Sequence, residues 1–128
     1  GTLDCIVTDH APHHRDVKCG EYNLAAFGIS GIETSFSLSY TALVRGGILT
    51  LSQLAQRMSG APARILGLEG GTLREGEVAD IMLADLNERY VIDPKEFVSK
   101  GKNTPFEGME VYGRVKYTIV DGAVKFPR

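Results

Sequence analysis

The densest group of chemistry-bearing side chains is Thr8-Asp9-His10-Ala11-Pro12-His13-His14, which holds all three histidines of the chain. It follows Leu3-Asp4-Cys5-Ile6-Val7-Thr8, a run whose β-favouring residues predict a short, mostly buried strand over 3–8. Parallel α/β barrels carry their catalytic groups at the C-terminal ends of such strands. Asp9 there can ligate a metal such as zinc and can move a proton as general acid or base. Asp-x-x-Pro is also ordinary turn chemistry, and residue types alone leave both readings open. His13 and His14 are adjacent, so in extended backbone they point to opposite sides and are poorly placed to share one metal. One of them can instead hold a substrate anion, or both can be surface histidines of a polar loop.

A second group is Phe27-Gly28-Ile29-Ser30-Gly31-Ile32-Glu33. Its glycines let backbone come close to a ligand, and it leads into a helix whose first N–H groups are free for an anion or a carbonyl oxygen. A flexible helix lead-in explains the same glycines. No phosphate loop ending in Gly-Lys-Ser/Thr is present. Cys5 reads as a small buried apolar residue and Cys19 as a loop thiol; two cysteines are too few for a disulfide scaffold.

These groups need elements to position them. Residues 9–31 read as a long loop, and long loops are commonly functional. Phe36, Tyr40, Leu43 and Val44 predict a helix over 33–45, stopped by Gly46-Gly47. Thr50 reads as the N-cap of LSQLAQRM, a helix ended by Gly60; Pro62 then opens a short helix closed by Gly67. Beyond Gly70-Gly71 the pattern turns to strands: 79–86, 90–92 and 111–120, with an Asp121-Gly122 hairpin turn into 123–126 and an irregular stretch over 93–110.

The chain has 128 residues, 43% hydrophobic and 23% charged, with a formal charge of −2. Those values fit one globular domain and lack the basic surplus of a nucleic-acid binder. No apolar run approaches the roughly 18 residues of a membrane span. The expectation is a soluble, cytoplasmic protein with a small-molecule substrate and neither nucleic acid nor membrane as partner. A lone strand feeding helices cannot satisfy its own edges, which predicts that the chain is a piece of something larger.

TDHAPHH after an apolar strand, followed by FGISGIET, resembles the metal-dependent dihydroorotases of the amidohydrolase superfamily. GGTLREGEVADIMLAD and NTPFEGMEVYGRVKYTIVDGAVKF extend the resemblance over essentially the whole chain, in order. It implies an α/β fold: the C-terminal segment of a (β/α)8 TIM-like barrel, then part of a small β-sandwich domain. Residues 1–70 would be the last strand, active-site loop and closing helices of the barrel. Residues 71–128 would be the C-terminal part of the sandwich.

The implied reaction is the reversible hydrolysis of (S)-dihydroorotate to N-carbamoyl-L-aspartate in pyrimidine biosynthesis, with one or two zinc ions as cofactor. Asp9 matches an aspartate that touches zinc and shuttles a proton to the ring amide nitrogen. His13 matches a histidine that holds the substrate carboxylate. Phe27 and Gly28 match positions whose backbone binds the ring. The resemblance assigns nothing to His10 or His14. The other metal ligands of the family, a His-x-His pair among them, are not in this sequence, so the 128 residues alone are expected to bind no zinc tightly and to turn over nothing. The partners it implies are the rest of a dihydroorotase chain and, left open, a homodimer or an association with aspartate transcarbamoylase. Two alternatives stand beside it: an allantoinase or hydantoinase-type amidohydrolase, and a non-catalytic scaffold for aspartate transcarbamoylase.

Overall fold

The structure is a computed structural model that describes residues 2–127; Gly1 and Arg128, the outermost positions of the two expected regions, lie outside the described residues. Residues 3–8 do not form the predicted strand. They run without a ladder, tied by one backbone hydrogen bond from Ile6 N–H to the Arg57 carbonyl at 3.0 Å. Leu3 and Val7 are 79% and 75% exposed, and Cys5 is half-buried rather than buried. The cause is the unsatisfied edge: a strand exists only by pairing, and none of the described residues pairs with this one. The following loop is also less open than expected. It contains a single helical turn, α1 (Arg15–Lys18), capped by the His14 side chain, whose Nδ1 accepts from Asp16 N–H at 3.3 Å.

The predicted helix over 33–45 begins two residues later, as α2 (Ser35–Ser39), and continues as π-helical turns over Tyr40–Arg45. Thr50 does cap α3 (Leu51–Ala55). Its hydroxyl accepts from Gln53 N–H while the Gln53 side chain accepts from Thr50 N–H, a reciprocal capping box. Gly60 does not end this helix. It keeps right-handed helical angles, and π-helical turns over Gln56–Gly60 carry the chain directly into α4 (Ala61–Leu66). Pro62 has no N–H to return to the preceding turn, and the wider π turn before it absorbs that loss. Gly67 closes α4 in the left-handed conformation, as its sequence position predicts.

The β region is one antiparallel sheet of three strands in the order β1 (Ile81–Val91), β2 (Glu110–Val120), β3 (Ala123–Pro127). The two strands predicted over 79–86 and 90–92 are a single strand with a distorted middle. Pairing runs from Ile81 opposite Ile119 to Asp85 opposite Arg114, then resumes at Arg89 opposite Tyr112. The Asp85 carboxylate accepts from the N–H groups of Asn87 and Glu88 at 2.9 and 3.2 Å, which holds the extra residues out of the ladder. Asp121 and Gly122 both have positive φ, 51° and 72°, the requirement of a tight two-residue hairpin turn. The irregular stretch between β1 and β2 holds only a 3-10 turn, Pro94–Glu96.

Helix and sheet meet at Gly113 in β2. A Cβ there would lie 3.0 Å from Tyr40 Cδ1 and 3.1 Å from Phe36 Cε1, so only glycine lets the stacked Phe36–Tyr40 pair rest on the strand. Ser37, 1% exposed, sits in this contact; its hydroxyl donates to the Gly113 carbonyl at 2.7 Å and accepts from the Tyr90 hydroxyl at 2.8 Å. Thr41 adds an Oγ1 acceptor for Tyr112 N–H at 2.8 Å. Ser37→Ala strands two polar groups at once and should cost the intact protein about 1–3 kcal/mol, measured as a lowered denaturant midpoint. A midpoint equal to wild type would show that water replaces both partners.

Candidate functional site

The two motifs singled out in the sequence lie against each other. His10 and Ile29 form a parallel bridge, and Ala11 N–H donates to the Ile29 carbonyl at 3.0 Å. Gly28, with φ 137°, fits so closely that a Cβ there would lie 2.5 Å from the Ala11 carbonyl oxygen and 2.9 Å from His13 Cδ2. Thus His13 and Gly28, both assigned to the substrate by the same resemblance, lie next to each other. Phe27 is 88% exposed beside them.

Asp9 stands immediately before this junction. Its φ of 43° is left-handed, a conformation that Asp tolerates better than most residues and that turns the chain sharply at the end of the opening segment. The carboxylate is exposed and makes no hydrogen bond or ion pair to any of the described residues. Among those residues, no three His, Cys, Asp or Glu side chains gather around one metal position. A zinc site takes about four donors. The exposed, unpartnered Asp9 carboxylate has the chemistry to supply one oxygen donor to such an ion, and the described residues gather no further donors around it.

Neither histidine next to His13 faces a metal cluster. His10 Nδ1 accepts from the N–H groups of Gly31 and Ile32 at 3.1 and 3.3 Å, so it satisfies two free donors at the entry to α2. An accepting Nδ1 leaves the proton of the neutral ring on Nε2. His14 caps α1 and lies 3.3 Å from the Asp16 carboxylate. Cys5 and Cys19 are both free thiols.

Sequence reasoning missed the residues that hold the junction from outside. Lys18 Nζ donates to the carbonyls of Ala26 and Gly28 at 2.6 and 3.0 Å. Asn103 Nδ2 donates to the same Gly28 carbonyl at 3.3 Å, and the Asn103 carbonyl accepts from Ser30 N–H at 2.8 Å. Buried Ser30 donates its hydroxyl to the Gly101 carbonyl at 2.7 Å. The Glu33 carboxylate accepts from Val98 and Ser99 N–H at 2.8 and 2.9 Å. Separations of 65 to 75 residues leave no local signal for these contacts. Lys18 was within reach of local reasoning, as a cation on the turn that closes the loop.

A groove of about 960 Å³ lies elsewhere, lined by residues of the helices and the sheet. His10 is at its edge, its walls include Phe36, Met58, Ile81 and Phe126, and Asp9, His13, Phe27 and Gly28 do not line it.

The sequence profile of the Amidohydrolase family matches residues 1–125. The chain belongs to the amidohydrolase family. Among its curated relatives in that family, the dihydroorotase of Acetivibrio thermocellus is 52% identical over 124 residues, covering 97% of this chain and 29% of the relative. The dihydroorotase of Pelobacter propionicus is 53% identical over 128 residues, covering 100% and 30%. Of solved structures, D-hydantoinase (dihydropyrimidinase) from Thermus sp. superposes with a TM-score of 0.88 at 29% identity, over 97% of this chain and 28% of that one. The chain therefore spans about 30% of the length of the curated amidohydrolases it matches. The dihydroorotase resemblance of its motifs extends along its whole length. No helix among the described residues is long and apolar enough to cross a membrane.

Proposed function

We propose that this chain is the C-terminal part of a zinc-dependent dihydroorotase of the cytoplasm, acting in pyrimidine biosynthesis. The reaction is the reversible hydrolysis of (S)-dihydroorotate to N-carbamoyl-L-aspartate. Residues 1–70 form the end of a (β/α)8 barrel, and 71–128 part of a small β-sandwich. One observation carries the reading: His13 packs on Gly28, joining the two motifs that, with relatives about 50% identical, point to dihydroorotase.

In this reading the residues divide the work. Zinc, when bound, lowers the pKa of water and polarises the ring carbonyl. Asp9 supplies one ligand oxygen, takes the proton of the attacking water and delivers it to the ring nitrogen as the C–N bond breaks. The bond lost is the C–N bond of the cyclic amide; water's oxygen ends in the new carboxyl group, one of its protons on the ring nitrogen, and the other leaves to solvent as that carboxyl group ionises. His13 holds the carboxylate already on the substrate. The Phe27 carbonyl and the Gly28 N–H, opposite edges of one trans peptide, have no partners among the described residues, so this peptide can offer one of them to the ring amide.

A hydantoinase-type enzyme is the second reading, favoured by the superposition on D-hydantoinase. Substrate charge separates the two. The full-length protein should hydrolyse dihydroorotate in preference to uncharged hydantoin. His13→Ala should raise KM for dihydroorotate about 10- to 100-fold, the worth of a hydrogen bond to a charged group, with kcat changed much less. Preference for hydantoin, or an unchanged KM for dihydroorotate in the variant, would sink the dihydroorotase reading.

A further inference from the structure

We infer that Lys18 and Asn103 are positioning residues that hold the ring-binding backbone at Phe27-Gly28 from two sides, an inference that rests on the dihydroorotase reading for its substrate. The Gly28 carbonyl is the point of convergence. It accepts from the Lys18 ammonium at 3.0 Å and from the Asn103 amide at 3.3 Å. The two donors come from opposite ends of the chain: one from the turn after the histidine motif, the other from the irregular segment before β2.

Each donor makes a second grip. Lys18 also binds the Ala26 carbonyl at 2.6 Å, and Ala26 N–H donates to Val17 at 2.9 Å, so the base of the 19–25 loop is closed on both sides. Asn103 accepts Ser30 N–H through its own carbonyl, which pins the backbone two residues beyond Gly28. With Ile29 bridged to the histidine segment, every peptide from 28 to 30 is anchored. The peptide joining Phe27 and Gly28 is left without a protein partner at its carbonyl or its N–H, which point to opposite sides. Neither Lys18 nor Asn103 needs to touch substrate. Their effect is to remove the freedom that the glycine would otherwise give this peptide, so that binding does not pay for ordering it.

A half-buried ammonium on two carbonyls is a costly arrangement for a turn alone. No carboxylate of the described residues pairs with Lys18, although neutralising it by substitution would be simple. Its placement makes sense where a rigid loop base and a positive potential both help an anionic ring to dock.

The test uses the full-length enzyme with Lys18→Met, Lys18→Arg and Asn103→Ala, followed by dihydroorotate kinetics and amide hydrogen exchange of the peptide spanning 24–32. Lys18→Met and Asn103→Ala should each raise KM about 3- to 10-fold, the loss of one hydrogen bond to the site backbone, with kcat within about threefold. Lys18→Arg should restore most of the affinity. Exchange over 24–32 should quicken at least tenfold in the first two variants. Loss of kcat at constant KM would mean a merely structural role and would overturn the inference, as would unchanged exchange. A wild-type enzyme that ignores dihydroorotate while the variants still quicken exchange would overturn the substrate reading and leave the positioning role standing.

Discussion

Asp9→Asn in the full-length protein is expected to lower kcat by about three orders of magnitude, with the folded structure intact. General acid–base groups contribute about 10²- to 10⁴-fold, and an amide can neither take the proton of the attacking water nor pass it to the ring nitrogen. The substitution isolates that step. Asn has the same shape and occupies left-handed backbone as readily as Asp, so the φ of 43° is no obstacle. The exposed carboxylate makes no hydrogen bond within the described residues, so its replacement should move the denaturant midpoint by no more than about 0.5 kcal/mol. Steady-state rates with dihydroorotate, the denaturant midpoint and the zinc content of the purified variant are the measurements. A rate within tenfold of wild type, in protein that retains its zinc, would remove Asp9 from the chemistry. Lost zinc with lost activity would limit its role to that of a ligand.

That variant tests a residue which the sequence pointed to by position: a carboxylate at the end of an apolar run. What was legible follows the range of the interactions. Thr50, Gly67 and Asp121-Gly122 act within four residues of themselves, and each cap or turn forms where its residue type demands. The strand over 3–8 is apolar enough to read as one, yet strand formation is a property of pairs, and its partners are not among the described residues. Gly60 misleads for the opposite reason. Glycine lowers helix propensity, but α3 and α4 are joined through π turns whose continuity is set by packing: Leu54 and Ala61, on either side of it, are 1% and 2% exposed. In β1 the break expected over 87–89 is real as a bulge and false as a loop, because the Asp85 carboxylate caps the excursion and the ladder resumes.

The same division holds at the site. Asp9, His13 and Gly28 carry local signatures: a titratable group after a strand-like run, clustered histidines, a glycine before a helix. The approach of His13 to Gly28 is tertiary, made by the His10–Ile29 bridge and fastened by Asn103. Nothing in the spelling of residues 101–104 marks them as part of a site. A glycine-rich segment that must be both close-fitting and rigid requires outside restraint, and the fold supplies it from the far end of the chain.

Gly28→Ala is the variant that measures how much that close fit matters. Two penalties coincide at this position: a φ of 137°, which side chains disfavour, and a Cβ placed 2.5 Å from the Ala11 carbonyl oxygen and 2.7 Å from Ala11 Cβ. These two contacts are with backbone and a methyl group, which cannot swing aside even if the His13 ring, 2.9 Å away, does. The histidine segment and the glycine segment must separate, on the order of 1 Å, to admit the methyl group. Displacements of that size at a reacting centre cost about 10²-fold in rate. Gly20 provides the control. It has nearly the same backbone angle, φ 142°, but nothing within 4 Å of its would-be Cβ. Gly20→Ala therefore carries the backbone strain alone, about 1–3 kcal/mol of stability. Gly28→Ala should share that loss and in addition reduce kcat/KM for dihydroorotate by about 10²-fold or more, while Gly20→Ala stays within about threefold of wild type. Equal activities in the two variants would mean that the approach of Gly28 to Ala11 and His13 serves packing only, and the ring-binding role of the Phe27-Gly28 backbone would fall with it.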